Sequence, residues 1–405
     1  MKKPVLTIFY QFNPWQSSIG GIQTVIRCFL KYAPDEFEVR LVGTGKPGSP
    51  IGKWQKANYA GRSIEFLPLI AIEDDNIRKL IPTSVKYTTA LLGRNLASDF
   101  MHFHRIEPTL LTLGWNGEKT LFVHNDIQQQ LRSSQNNNAI LWKYFPRGYY
   151  ALEDITIKQF HQINVCNTES LKFYQQRYSA IASRIAYLKN AVDQEVFYPL
   201  SLERKEEKRK EFAVQQNLAE DTHFILYAGR LHPQKDPILL IRSMAALQLS
   251  KVHLLIAGDG ELANEVRSEI ARLNLSQKVT MLGSVPQEKL ADLHQLSSVC
   301  ILTSVYEGLP LVVLEALACG TPIVTTQSGN TPNFLTADSG VVSQERTPEA
   351  IAEALQKVLL NPQSYPTEAC IRVAQPYFAK TVVQQVYQDM WQRWERQNLS
   401  LISNS

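Results

Sequence analysis

Cysteine is scarce in this 405-residue chain, and the five present (Cys28, Cys166, Cys300, Cys319 and Cys370) are odd in number and scattered, with no C-x-x-C pair. Neither a disulfide framework nor a cysteine metal knuckle is expected, and a reducing cytoplasm fits. No apolar run approaches the roughly 20 residues of a membrane span. The stretch Val5 to Tyr10 after Met1-Lys2-Lys3-Pro4 is too short and too soon broken for a secretory leader. A dominant charge is also lacking. Against 42 Lys and Arg stand 38 Asp and Glu, and a net +4 gives no reason to expect nucleic acid as a partner. No short-period repeat is visible. What remains is an ordinary composition, 44% hydrophobic and 20% charged, in a chain long enough for two domains with large cores.

Short apolar stretches alternate with amphipathic ones from end to end, the pattern of doubly wound α/β domains. In the first half, strands are expected at Val5 to Phe12, Glu38 to Val42, Phe100 to His104, Thr120 to His124, Gln162 to Cys166 and Arg184 to Leu188. A second set is expected at His223 to Ala228, Val252 to Ala257, Val279 to Leu282, Val299 to Leu302 and Pro322 to Thr325. Between the sets, Lys189 to Pro199 reads as a linker, and the charge run Glu203 to Glu211 as a solvated helix face. Near the C-terminus, Val382, Val383, Val386, Tyr387, Met390, Trp391 and Trp394 recur at helical spacing, so one apolar and aromatic face needs a partner.

The strongest local signal is Tyr306-Glu307-Gly308-Leu309-Pro310-Leu311-Val312-Val313-Leu314-Glu315. Its two carboxylates flank a turn and a helix start, with Pro310 expected in the first helical turn. Amides of Gly308 and Leu309 at a helix N-terminus suit a phosphate. This segment, with the following Ala-Cys-Gly-Thr-Pro, resembles the glutamate-x7-glutamate motif of retaining glycosyltransferases of family 4, which have the GT-B fold. The resemblance implies two Rossmann-like domains facing a central cleft. Residues 1–198, completed by a C-terminal helix 378–396 that crosses back, would form the acceptor-side domain, and 199–377 the nucleotide-sugar domain. Trp391 and Trp394 are then packing residues.

Other segments join this reading. Gly229-Arg230 ends an apolar strand and Lys235 follows five residues later, a fork and a point charge suited to a diphosphate leaving group. The spacing resembles the family's diphosphate-binding pair. Gly258-Asp259-Gly260 partly imitates a dinucleotide fingerprint, but no acid follows at the end of the next strand, so the glycines are read as close packing beside the nucleotide. Ser284 and Val285 are candidates for a backbone contact to the base. The Gly20-Gly21 pair before a helix resembles the family's loop facing the donor diphosphate. His124, at the end of a buried strand, resembles the family's histidine near the donor sugar. His102 and His104 alternate along their strand and are candidates for lining the acceptor cleft, without a third ligand for a metal.

No Asp-x-Asp occurs, so cations and helix amides are expected to hold the diphosphate without a metal or other cofactor. The resemblance implies retention by same-face attack, with Glu307 on sugar hydroxyls and Glu315 on the ribose. A UDP-sugar is the preferred donor and GDP-mannose the next; the acceptor is expected to be a glycan or lipid-linked glycan. Ile140 to Tyr150 mixes aromatics with cations, which suits either weak contact with an anionic membrane or ordinary packing of a helix and its turn. The expected location is cytoplasmic, or peripheral on the inner face of the membrane. A sugar-nucleotide epimerase or phosphorylase of the same fold, and a non-catalytic nucleotide-sugar binding subunit, are the rival functions.

Overall fold

The computed structural model describes residues 3–15, 21–72, 82–124, 146–307 and 310–403. It forms two compact units, residues 1–189 with 382–405, and residues 190–381.

The first unit contains β1 (Val5–Phe9), β2 (Glu38–Gly45), β3 (Gln55–Tyr59), β4 (Arg62–Ala71), β5 (Phe100–Phe103), β6 (Glu118–Val123), β7 (Gln162–Val165) and β8 (Ile185–Tyr187). Among the described residues these make one sheet in the order β3-β4-β2-β1-β5-β6-β7-β8. All neighbours are parallel except β3 and β4, an antiparallel hairpin. The hairpin is absent from the expected strands because β3 reads Gln-Lys-Ala-Asn-Tyr and buries no residue fully. Its signal was the turn: Ala60 and Gly61 take φ of 49° and 80°, the left-handed pair that matches strand twist in a two-residue loop.

One face of this sheet packs around Phe9, Met101, Phe103, Leu121 and Phe160, with Phe9 and Phe103 stacked at 4.8 Å. The other receives helix Gly21–Lys31 and the last helix, Ala379–Ser403. Tyr387 donates to the Phe29 carbonyl at 2.9 Å, its ring meets Phe37 at 4.9 Å, and Arg393 pairs with Glu118 at 2.7 Å. The apolar stripe read from the sequence thus finds its partner, with Trp391 against Phe37.

In the second unit, β9 (His223–Ala228), β10 (Val252–Ala257), β11 (Val279–Gly283), β12 (Val299–Leu302), β13 (Ile323–Thr325) and β14 (Gly340–Val342) form a parallel sheet ordered β11-β10-β9-β12-β13-β14. Both faces are covered. From β9, Ile225 and Tyr227 enter one core while Phe224 and Leu226 enter another, which is why the strand reads as an unbroken apolar run. The short edge strand β14 was not expected from the sequence. Residues 190–199 are held in this unit: Val192 exchanges backbone hydrogen bonds with Tyr377 and Ala379, and Val192 and Phe197 are buried in its core. Helix Leu202–Gln215 carries the charge run on its exposed side. Among the described residues, no helix is long and apolar enough to cross a membrane.

His102 lies fully buried between Phe29 (5.2 Å) and Phe122 (4.8 Å), with neither ring nitrogen hydrogen-bonded among the described residues. Burial, assisted by the Arg393 charge, lowers its pKa to about 3. An unfolded histidine titrates near 6.5, so this ring's contribution to stability is complete above that pH and drains away as pH falls toward 3. At pH 5 the loss is about 2 kcal/mol. His102→Leu is expected to narrow the gap between the melting temperatures measured at pH 7 and pH 5.

Candidate functional site

In the second unit the winding reverses between β9 and β12, and open parallel sheets bind ligands outside the carboxyl ends of strands at such a point. β9 runs into Gly229, Arg230 and the short turn Pro233–Lys235; β12 runs into Thr303, Ser304 and Glu307. The two segments are tied together. Val305 N donates to the Gln234 carbonyl at 2.8 Å, and Gln234 Nε2 to the Tyr306 carbonyl at 3.0 Å. Thr303 Oγ1 lies 2.9 Å from the carbonyl oxygens of both Lys235 and Asp236, sharing its proton between them.

Lys235 and Glu307 meet directly: the ammonium pairs with Glu307 Oε1, which also accepts from Ser304 Oγ at 2.8 Å. Glu307 is buried, and among the described residues these two donors meet its carboxylate. Removing one member of a buried pair typically costs about 3–5 kcal/mol, whereas exposed pairs contribute about 1 kcal/mol or less. Arg230 stands exposed at the end of the same strand. The carbonyl of Glu307 is crowded by Gly329, where a Cβ would fall 1.4 Å from that oxygen and φ is 57°; only glycine lets the two loops cross there.

Gly258 has φ of 155°, and a Cβ there would lie 1.9 Å from the Gly229 carbonyl oxygen. A Cβ on Gly260 would lie 2.4 Å from that of Leu231. These glycines therefore let the ends of β9 and β10 approach each other. Asp259 is exposed and caps the Gly260 amide at 2.8 Å. Gly283 accepts from Gly258 N at 2.8 Å, and beyond it Ser284 is exposed and Val285 half-buried. Glu315 lies in helix Leu311–Ala318, buried, and burial pushes its carboxyl up to about 7. Pro310 precedes this helix as its cap residue instead of entering the first turn, because its ψ of 136° is extended. Gly308 and Leu309 lie outside the described residues.

In the first unit, Gly21 opens helix Gly21–Lys31, and Gly20 lies outside the described residues. His124 follows β6 directly, and its Nε2 is 2.7 Å from His104 Nδ1, the rings nearly coplanar. Burial lowers the His124 pKa to about 4, and the His104 pKa well below its usual value, with the neighbouring His124 charge adding to it. Both are neutral near pH 7 and exchange one hydrogen bond. The expectation that His102 lines an acceptor surface is corrected: its ring is enclosed by Phe29 and Phe122 in the core. Of the aromatic and cationic stretch 140–150, residues 140–145 lie outside the described residues; Pro146–Thr156 is helical, with Tyr149 buried against Glu153.

Thr303, Ser304, Gln234, Asp236 and Gly329 were missed from the sequence. The first two carried a readable signal, being polar residues immediately after a buried strand, at the end where α/β sheets place ligands. Gly329 acts through backbone geometry, and Gln234 and Asp236 through contacts with residues far along the chain, neither of which composition reveals.

Residues 208–372 match the family model described as Glycosyl transferases group 1. An uncharacterized glycosyltransferase of Methanocaldococcus jannaschii is 28% identical over 229 residues, 56% of this chain and 55% of its own length. The chain thus spans about half of that relative. The N-acetylgalactosamine-N,N'-diacetylbacillosaminyl-diphospho-undecaprenol 4-alpha-N-acetylgalactosaminyltransferase of Campylobacter jejuni is 25% identical over 350 residues, 84% of this chain and 87% of that protein. Sucrose-phosphate synthase from Thermosynechococcus elongatus superposes with a TM-score of 0.77 over 97% of this chain and 100% of its own, at 18% identity. The fold is that of GT-B glycosyltransferases. Residues 208–372 thus resemble a glycosyltransferase domain, and the relatives the chain matches are named as glycosyltransferases.

Gly258 and Gly283 are adjacent across the strand ends yet differ in surroundings, since nothing lies within 4 Å of a Cβ on Gly283. Gly283→Ala is expected to cost about 1 kcal/mol, from backbone strain alone, and Gly258→Ala more than about 2 kcal/mol. Urea unfolding of the two variants side by side measures the difference.

Proposed function

We propose that this chain is a retaining glycosyltransferase of family 4 that transfers a sugar from a nucleotide diphosphate sugar to a glycan or lipid-linked glycan acceptor, without a metal ion. The observation that carries the proposal is the Lys235–Glu307 pair at the point where the winding of the second sheet reverses, with Arg230 on the same strand end. A donor diphosphate draws Lys235 away from Glu307 and places its charge, with that of Arg230, on the leaving group. Glu307, relieved of its lysine, accepts from sugar hydroxyls. Same-face attack then needs no protein nucleophile: the glycosidic bond to the diphosphate breaks, the acceptor oxygen bonds the anomeric carbon, and a phosphate oxygen takes the acceptor proton.

Glu315 is assigned the ribose hydroxyls, and His124, neutral at pH 7, a hydrogen bond to the sugar near the reacting carbon. Gly20, Gly21, Gly229, Gly258, Asp259, Gly260, Gly308 and Leu309 offer backbone or close approach to the donor, and Ser284 with Val285 the base. A UDP-sugar is the preferred donor and GDP-mannose the next. The lipid-linked acceptor is supported by the diphospho-undecaprenol substrate in the name of the Campylobacter relative, which this chain matches over most of its length. A cytoplasmic enzyme working at the inner face of a membrane, with weak anionic-lipid contact, accords with such an acceptor.

A thermal-shift panel of UDP-, GDP- and ADP-sugars tests donor binding, because a ligand at 100 times its Kd adds about 2.7 kcal/mol to the folded state. A clear rise with one nucleotide sugar is expected, and no rise with any of them overturns the reading. Lys235→Ala is expected to lower transfer by about 10² to 10³ in kcat, and EDTA to leave the wild-type rate unchanged.

The raised Glu315 pKa adds a pH dependence. Below about 7 the carboxyl holds its proton in the free protein, and ribose binding must first release it. Donor affinity is therefore expected to rise up to about tenfold from pH 6 to pH 8, and Glu315→Gln to flatten that rise in calorimetric titrations.

A further inference from the structure

Asp236, next to Lys235, is left-handed, with φ of 45° and ψ of 60°. A non-glycine residue holds that conformation only where its surroundings over-determine it. Every acceptor of Asp236 is engaged. Oδ1 accepts from Leu239 N at 3.2 Å, capping helix Pro237–Ala246, and its carbonyl accepts from Thr303 Oγ1 at 2.9 Å. Oδ2 accepts from Arg346 at 2.7 Å. The same guanidinium nitrogen lies 3.2 Å from the Thr303 carbonyl oxygen, so Arg346 bridges the segments following β9 and β12. Arg346 is itself anchored between Ser343, whose hydroxyl donates to the Glu345 carbonyl at 2.8 Å, and Thr347, which caps helix Pro348–Leu360.

We infer that Arg346 is a positioning residue for the diphosphate, holding Asp236 in its left-handed turn so that Lys235 is presented toward Glu307. This rests on the donor reading given above. Arg346 touches neither Lys235 nor Glu307 among the described contacts; it acts through the backbone between them. Without the guanidinium, Asp236 loses the charge-assisted bond that opposes its strain, and the Lys235 turn relaxes toward conformations that point the ammonium elsewhere. A glycine at 236 adopts φ of 45° without strain and caps a helix almost as well as aspartate, so it removes the need for the clamp.

The test is a double-substitution cycle read with paired ligands, using the full chain. Affinities for UDP and uridine, GDP and guanosine, and ADP and adenosine are measured by ligand-observed NMR on wild type, Arg346→Ala, Asp236→Gly and the double variant. The pair whose diphosphate binds wild type is then compared. Arg346→Ala is expected to weaken the diphosphate about tenfold and its nucleoside less than about twofold, because only the diphosphate meets Lys235; in the Asp236→Gly background the same substitution is expected to cost about twofold or less. Equal losses for nucleoside and diphosphate, an unchanged diphosphate affinity, or a full tenfold loss in the Asp236→Gly background each overturn the positioning role. Failure of all three diphosphates to bind wild type overturns the donor reading instead.

Discussion

The pairing of a buried carboxylate, Glu307, with Lys235 organises the strand ends where the winding of the second sheet reverses. A buried carboxylate needs hydrogen-bond donors, and the chain supplies Glu307 with them from two strand ends brought side by side by the parallel sheet. That requirement fixes much else. The Gln234 bonds to the 305–306 backbone, the Thr303 hydroxyl under the Lys235 turn and the glycine at 329 all keep lysine and carboxylate in register. Under the proposed donor reading, an anion entering beside Lys235 would compete for the charge that satisfies Glu307 in the free protein.

The first unit shows the opposite economy of charge. Its histidines at the ends of β5 and β6 are kept neutral by burial, and the 2.7 Å contact between His104 and His124 is a hydrogen bond between neutral rings. Glu118, by contrast, is buried yet met by Arg393 and Gln397 from the C-terminal helix. Glu307 and Glu118, both buried, are each met by a cation from a distant part of the chain.

Much of this was legible beforehand. Strands β9, β10 and β12 were read to the residue, because a strand buried on both faces is a continuous apolar run with polar ends. The positions of Arg230 and Lys235 after β9 and of Glu307 after β12 were legible because flanking glycine or proline marks where strands stop. The β3–β4 hairpin and β14 were not: one is half-polar and exposed, the other three residues at a sheet edge. The left-handed Asp236 was hidden for a different reason, since nothing in Lys-Asp-Pro announces a conformation that aspartate adopts only when distant residues hold it. Likewise His102 has the alternation of a surface-facing residue, and only the aromatic rings around it reveal a core position.

The helix Ala379–Ser403 has a consequence for synthesis. Residues 190–381 are contiguous in the chain, whereas the amino-terminal sheet lacks Tyr387, Met390 and Arg393 until residues 382–403 are made. Until then, Phe29, Phe37 and Glu118 await their cover. A nascent chain stalled before residue 382 therefore presents an unfinished apolar surface to chaperones, and this helix supplies the missing cover.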